Sequence, residues 1–445
     1  MDIATVGELR AEYVPGRALG IGATRPRLSW ITTTEREGWM QAAYEVELDG
    51  IALGRVDGDE SVFVPWPGPP LTSCAALRVR VRVWGTDGSA STWSDPLDVE
   101  AGLLSPDDWS ARWITSVAQP VDDAPGRPEH FRHGFTLRPR DGATIERARL
   151  YATSAGLNQL HLNGRVVGDT VLAPGWSTYD QRLRYATHDV TTLVSSGENV
   201  IGAVVADGWW RGYLGWEMKR NFYGERIGLL AQLEITYSDE TSETISTDTT
   251  WRTSSGPILS ADLYMGESFD ARLRLDGWSA AGFDDSAWSA AETFAPAVGR
   301  LVARAGPPVR RTQELPVRDV IVTRSGRTVL DFGQNLVGWV RFTVEGGAGT
   351  VVTLRHAEVL EHGELGTRPL RNAEATDRYT VRGDGPETWE PTFTFHGFRY
   401  AEVDGWPGAE VDPRAFTAVV IHSDFERTGT FSCSSTELTA SAWRA

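Results

Sequence analysis

From Leu77 to Val83 every second residue is apolar (Leu77, Val79, Val81, Val83), and the residues between are all arginine (Arg78, Arg80, Arg82). A period of two puts neighbouring side chains on opposite faces of an extended chain, so the run predicts a strand with one face on a core and one in water. Tyr44, Val46 and Leu48 repeat the pattern, and turn dipeptides such as Asp57-Gly58 and Asp87-Gly88 separate the runs. Long helical periodicity is missing until the extreme C-terminus. Such a chain buries its apolar faces by packing antiparallel sheets on one another, and 445 residues are too many for one core.

The expected fold class is therefore all-β, three consecutive β-sandwich or jelly-roll domains with the start of a helix at the C-terminus. Residues 1–104 read as an immunoglobulin or fibronectin type III sandwich, with Trp30 ending an early strand and Trp84 on a later one. Residues 105–298 read as a jelly roll. Its hairpin signal is Asn163-Gly164, which supplies the positive φ angles of a type I′ turn, and its apolar run Asn199 to Ala206 reads as a central strand. The stretch Val117 to Pro128 reads as an irregular loop inside this unit. Residues 299–428, entered through Gly306-Pro307-Pro308, hold strand runs at Thr328 to Phe332, Val337 to Val344, Thr350 to Leu354, Arg378 to Val381 and Phe398 to Val403. In 429–445, Ser434 and Glu437 have capping-box spacing, and Leu438 with Ala442 begins a helical stripe.

Composition removes several function classes. A net charge of −17 argues against nucleic acid and against an anionic membrane, since phosphate binding needs a basic surface. Lys219 is the only lysine and sits among charged residues, a poor place for Schiff-base chemistry. Cys74 and Cys433 fall in different units, which excludes a disulfide framework. Zinc-ligand spacing, a Gly-x-Ser-x-Gly elbow and a phosphate-cradling loop do not occur. The first residues carry Glu8, Arg10 and Glu12 where a signal peptide needs an apolar core, so the cytoplasm is the expected location.

Several stretches resemble the bacterial α-L-rhamnosidases of glycoside hydrolase family 78. They are Leu172-Ala173-Pro174-Gly175-Trp176 leading to Tyr179-Asp180; Asp207-Gly208-Trp209-Trp210-Arg211-Gly212 leading to Asn221-Phe222-Tyr223-Gly224; and Asp331-Phe332-Gly333-Gln334-Asn335 followed by Gly338-Trp339. Gly266 to Arg272, Arg355 to Glu358 and Thr394 to Tyr400 extend the match in the family's order. The resemblance implies a fibronectin-like domain, a jelly roll related to carbohydrate-binding modules and a further, concanavalin-like sandwich. An (α/α)6 barrel would follow, carrying both catalytic carboxylates, and that barrel is missing from this chain. It implies hydrolysis of terminal α-L-rhamnose with inversion by the full-length enzyme, and no catalytic residue in these 445 positions. The expected partners are a rhamnose-containing glycan or glycoside and the missing barrel of the same chain.

Two sugar-binding clusters are expected. Some jelly rolls of the family bind rhamnose through calcium held by an Asp-Asn pair and a later Asn. The matching positions are Asp180, Gln181 and Asn221, with Gln181 a departure, and Asp180 and Asn221 are the metal candidates. The bland alternative is a turn-stabilising aspartate and a hydrogen-bonded loop asparagine. Trp209, Trp210, Tyr213 and Trp216 crowd one glycine-containing loop, where they either stack on a sugar or fold back as a plug on a neighbouring domain. Glu267, Asp270 and Arg272 read as a structural ion pair, and Glu358, Glu361 and Glu364 as solvated charge. Asp331-Phe332-Gly333 and Arg382-Gly383-Asp384 read as chance matches to a kinase triplet and an adhesion tripeptide. A free-standing carbohydrate-binding protein is the alternative function, and a β-sandwich glycosidase using its own carboxylates is the third.

Overall fold

The computed structural model describes residues 4–117, 124–140 and 142–441. Half of the expected Val117 to Pro128 loop, residues 118–123, therefore falls outside the described residues, as does Ala442. Among them the protein is all-β, with helix confined to single short turns and to Gly208–Arg211 and Thr436–Ser441. Among the described residues no helix is long and apolar enough to cross a membrane.

The first unit packs a five-stranded sheet against a three-stranded one. The arginine-alternating run forms Ala76–Gly85, whose Val79, Val81 and Val83 are buried. Trp30 lies inside the strand Leu28–Thr33, not at its end. The second unit pairs a six-stranded sheet with a seven-stranded one. Asn163 and Gly164, at φ 51° and 80°, turn the chain so that Leu162 opposes Arg165, and Gly197–Ala206 lies between Leu157–Leu162 and Glu129–Leu137 as an interior strand.

The third unit is built from one ten-stranded sheet that folds over its own core. Two expected strands are one, Thr328–Val344, and the register breaks between Asp331 and Leu336. Its first half pairs with Asp319–Val322 and His396–Asp404, its second with Phe416–Ser423 and Glu387–Trp389, so a single strand serves both layers. The bend falls at Gly333 (φ 80°), where Asp331 accepts a hydrogen bond from the Gly333 amide and a two-pronged ion pair from Arg399. The triplet Asp331-Phe332-Gly333 is thus a sheet corner.

The strands cross the expected boundaries. Ile258–Asp262 and Gly266–Asp270, assigned by sequence to the second unit, belong to the third unit's sheet, where Gly266–Asp270 runs parallel to Thr376–Thr380. Arg300–Ala303, assigned to the third, runs parallel to Arg182–Asp189 of the second. At the C-terminus the Ser435 hydroxyl, one residue later than expected, accepts from the Leu438 amide at 3.3 Å.

The first unit is fastened to the second by a buried charge cluster. Arg149 donates to both oxygens of Glu100 at 2.7 and 2.8 Å and to Asp189 at 2.7 Å, while Arg17 reaches Asp189 at 2.5 Å. Tyr185 adds a 2.8 Å bond to the Leu103 carbonyl. Removing Arg149 takes both short hydrogen bonds from the buried Glu100 carboxylate, whose remaining basic neighbours, Arg147 and Arg17, stand 3.7 and 4.0 Å away. Arg149→Met is expected to lower stability by about 3 kcal/mol in urea unfolding and to speed amide exchange in Arg17–Ile21 ahead of the other units.

Candidate functional site

Two loops of the second unit meet on its surface. The loop around Trp176 and the loop from Asp207 to Gly224 line an open concavity of about 510 Å³ with Trp176, Leu214, Gly215, Trp216, Glu217, Lys219, Phe222 and Tyr223. Trp216 is 72% exposed and Phe222 64%. Trp176 lies parallel to Trp209, ring centres 6.3 Å apart, and its indole N–H reaches the Tyr223 hydroxyl at 3.4 Å. These rings form a wide apolar floor with polar groups at its edge, the composition that suits the mixed faces of a pyranose.

The loop is held from below by charge. Asp207 is fully buried and takes a 2.6 Å bond from Arg211, another from Arg220 and a 2.9 Å bond from the Gly126 amide. Arg211 is four residues on, which one helical turn brings back over Asp207. Burial pushes the neighbouring Glu129 carboxyl up to about 7, against the pull of Arg211 and Arg127. On the other side Asp262 accepts from the amides of Tyr213, Tyr264 and Met265, which ties the aromatic loop to the hairpin of the third sheet.

The expected residues separate on this scaffold. Trp210 cannot stack on a sugar: it is 1% exposed, its indole donates to the Arg226 carbonyl, and it packs on Tyr179 and Tyr223. Trp209 is half-buried between Trp176 and Phe395, partly the plug that the alternative describes. Tyr213 is also half-buried, and Trp216 alone of the four is an open platform.

The calcium candidates do not assemble a shell. Asp180 and Gln181 are exposed, and the Gln181 carbonyl already accepts from the Arg300 amide. Asn221 sits at φ 59° with its side-chain oxygen buried and unpartnered, and no contact joins it to Asp180. Calcium requires about six to eight oxygens, which these separated residues do not bring together.

A polar cluster missed by the sequence lies in the third unit. His356, Asp377 and His396 are buried together on three strands; His396 bonds Asp377 at 3.0 Å, and His356 Nδ1 donates to the Ala375 carbonyl. Their spacing in sequence matches no metal motif, so only the fold brings them together. The two imidazoles stack, centres 4.2 Å apart and planes 18° apart. Near-parallel rings cannot both aim an in-plane lone pair at one ion, which makes this a packing cluster and not a metal centre. Glu267, expected in an ion pair, joins this cluster. The pair is Asp270 with Arg272, whereas Glu267 is buried, accepts from the Thr392 and Phe393 amides and donates its own amide to Asp377.

Three family models together match most of the chain. Residues 6–105 match a Rha78A-like N-terminal immunoglobulin domain, 143–313 the α-L-rhamnosidase N-terminal domain, and 321–422 the bacterial α-L-rhamnosidase concanavalin-like domain. The chain belongs to the α-L-rhamnosidase family. An α-L-rhamnosidase of Streptomyces avermitilis is 35% identical over 95% of this chain and 58% of the relative. The structure of an Aspergillus terreus α-L-rhamnosidase superposes with a TM-score of 0.93 at 44% identity, covering 98% of this chain and 51% of that one. The S. avermitilis enzyme, solved as a complex with L-rhamnose, gives 0.86 at 34% identity and covers 95% and 57%. The chain thus spans little more than half the length of these relatives. The S. avermitilis alignment runs over 599 positions, more than the 445 residues here, so that relative carries additional residues within the matched span.

Two predictions follow from burial. Trp210→Ala is expected to cost about 3–5 kcal/mol and Trp216→Ala less than about 0.5 kcal/mol, compared by denaturant unfolding. Burial pushes Glu267 up to about 8, with the Phe393 and Thr392 amides pulling the other way. Its folded pKa lies above the unfolded one, so its contribution is full below about pH 4.3 and is lost as pH rises through about 8. Glu267→Gln should flatten the decline in melting temperature across that window.

Proposed function

We propose that this chain is the accessory β-part of an α-L-rhamnosidase, and that its aromatic basin receives the rhamnosyl end of a glycan or glycoside. The observation that carries this reading is the basin itself, an exposed floor of Trp176, Trp216 and Phe222 in a chain of this family. The half-buried Trp209 acts through Trp176, bracing the platform. The L-rhamnose complex of the S. avermitilis relative supports the choice of sugar.

The basin has no equipment to cleave a glycosidic bond. An inverting hydrolase sets two carboxyl groups about 6.5–9.5 Å apart, and the lining of this basin holds one, Glu217, paired with Lys219 at 2.6 Å. The smaller cleft lined by Asp169, Arg311 and Trp339 also presents one carboxylate. Hydrolysis is assigned to the barrel that the family appends, and the three β-units position it and frame its substrate cleft.

Titration calorimetry of the 445-residue chain with methyl α-L-rhamnoside should give a saturable heat that Trp216→Ala removes without lowering the melting temperature. No heat from folded protein would end the binding reading. Release of nitrophenol from an aryl α-L-rhamnoside by this chain would end the accessory one.

A further inference from the structure

We propose that the buried cluster of Glu267, His356, Asp377 and His396 is a proton-operated joint between the second and third units, held shut in mildly acidic solution and loosened on either side. Three of the stretches that carry the family resemblance, Gly266 to Arg272, Arg355 to Glu358 and Thr394 to Tyr400, each send one residue into it. The cluster touches both units. Glu267 stands on the hairpin Ile258–Asp270, across from Ala261, and accepts from the amide of Phe393, which packs with Leu157 and Val204 of the second unit.

Two atoms make the joint sensitive to protons: Glu267 Oε1 and His356 Nε2 are buried without a hydrogen-bond partner. The charged groups around them offer little help. Asp377 is a second carboxylate, bonded to the Glu267 amide and to His396. Asp262 of the same hairpin is taken up by the Tyr213, Tyr264 and Met265 amides, and Glu390, near Thr392, by Arg311 and Trp339. Arg355 and Arg378, each beside a cluster residue in sequence, pair with Glu402 and Glu374. Among the described residues no arginine or lysine therefore offsets a charge on Glu267. A charge on His356 has only Asp377, 3.9 Å away, in its favour, and the stacked His396 against it.

Opening the joint to water reverses both states. Closed, Glu267 keeps its proton up to about pH 8; exposed, it releases it above about pH 4.3, so opening gains as pH rises between those values. Closed, His356 stays neutral down to about pH 3; exposed, it takes a proton below about pH 6.5, so opening gains as pH falls through that range. From about pH 4.3 to 6.5 one proton lost and one gained cancel, and the joint is at its tightest. Asp377, held low in the closed joint, enters only below about pH 3.9.

Hydrogen exchange of the full chain, read by mass spectrometry and corrected for the intrinsic rate at each pH, tests the joint. Opening of residues 258–270 and 391–398 should stay level from about pH 4.5 to 6.5 and rise about ten- to thirtyfold by about pH 8. The strand Ala76–Gly85 of the first unit should keep its protection throughout. Glu267→Gln should remove the rise, and His356→Gln should extend it down to about pH 4.3. Level opening in the native chain above about pH 6.5 would overturn the inference whether or not either variant folds. The same rise in Glu267→Gln would overturn it too, as would an equal rise in Ala76–Gly85, which would mean that the whole chain unfolds together.

Discussion

The hairpin Ile258–Asp270 is the constraint on which the placement of the site depends. By sequence position it belongs to the jelly roll, yet its backbone hydrogen bonds are spent on the third unit's sheet. A strand pair shared in this way joins two units more stiffly than a linker, because separating them would leave a ladder of amides and carbonyls without partners. Its two buried carboxylates do further work. Asp262 holds the start of the aromatic loop through the Tyr213 amide, and Glu267 holds the chain at Thr392 and Phe393. Both accept from backbone N–H groups and not from cations, and Glu267 Oε1 is buried without a partner. Burial therefore raises both pKa values, and the groups act as hydrogen-bond acceptors that fix loops.

Perturbed carboxyls often mark catalytic centres, but here they mark seams. Glu267 sits beside His356, Asp377 and His396 with no opening to solvent, where burial drives the His356 imidazole down to about 3 and so keeps it neutral. A reacting group needs substrate access, and none of these four has it. The open basin, by contrast, carries exposed aromatic rings and a surface ion pair. Buried charge at the joints and aromatic surface at the opening are what a scaffold with a binding face requires.

Local periodicity made much of the fold legible and left the site only half so. The strand at Ala76–Gly85 and the turn at Asn163-Gly164 follow from alternation and positive φ, which are properties of neighbours in sequence. The parallel pairings of Gly266–Asp270 with Thr376–Thr380 and of Arg182–Asp189 with Arg300–Ala303 do not, because no local signal names a partner more than a hundred residues away. The same limit separated Trp209 from Trp210. One helical turn over Gly208–Arg211 rotates successive side chains by about 100°, so adjacent tryptophans of the same composition face different surroundings. Asp207 and Arg211 carried a usable signal, an acid and a base four apart with a turn between them, which would have placed the charge under the loop.

That geometry also bears on how the basin works. A sugar platform gains little if its rings must be ordered at the moment of binding, since each immobilised side chain costs about 0.5–1.5 kcal/mol. Trp176 is already fixed by its contact with Trp209 and its bond to Tyr223, and Trp216 by the guanidinium of Arg371. The buried Trp210, packed on Tyr179 and Tyr223, supports the ring that holds Trp176. Trp210 therefore serves the site without touching a ligand: it is the floor joist under an exposed plate, and the plate is pre-arranged because two units meet there.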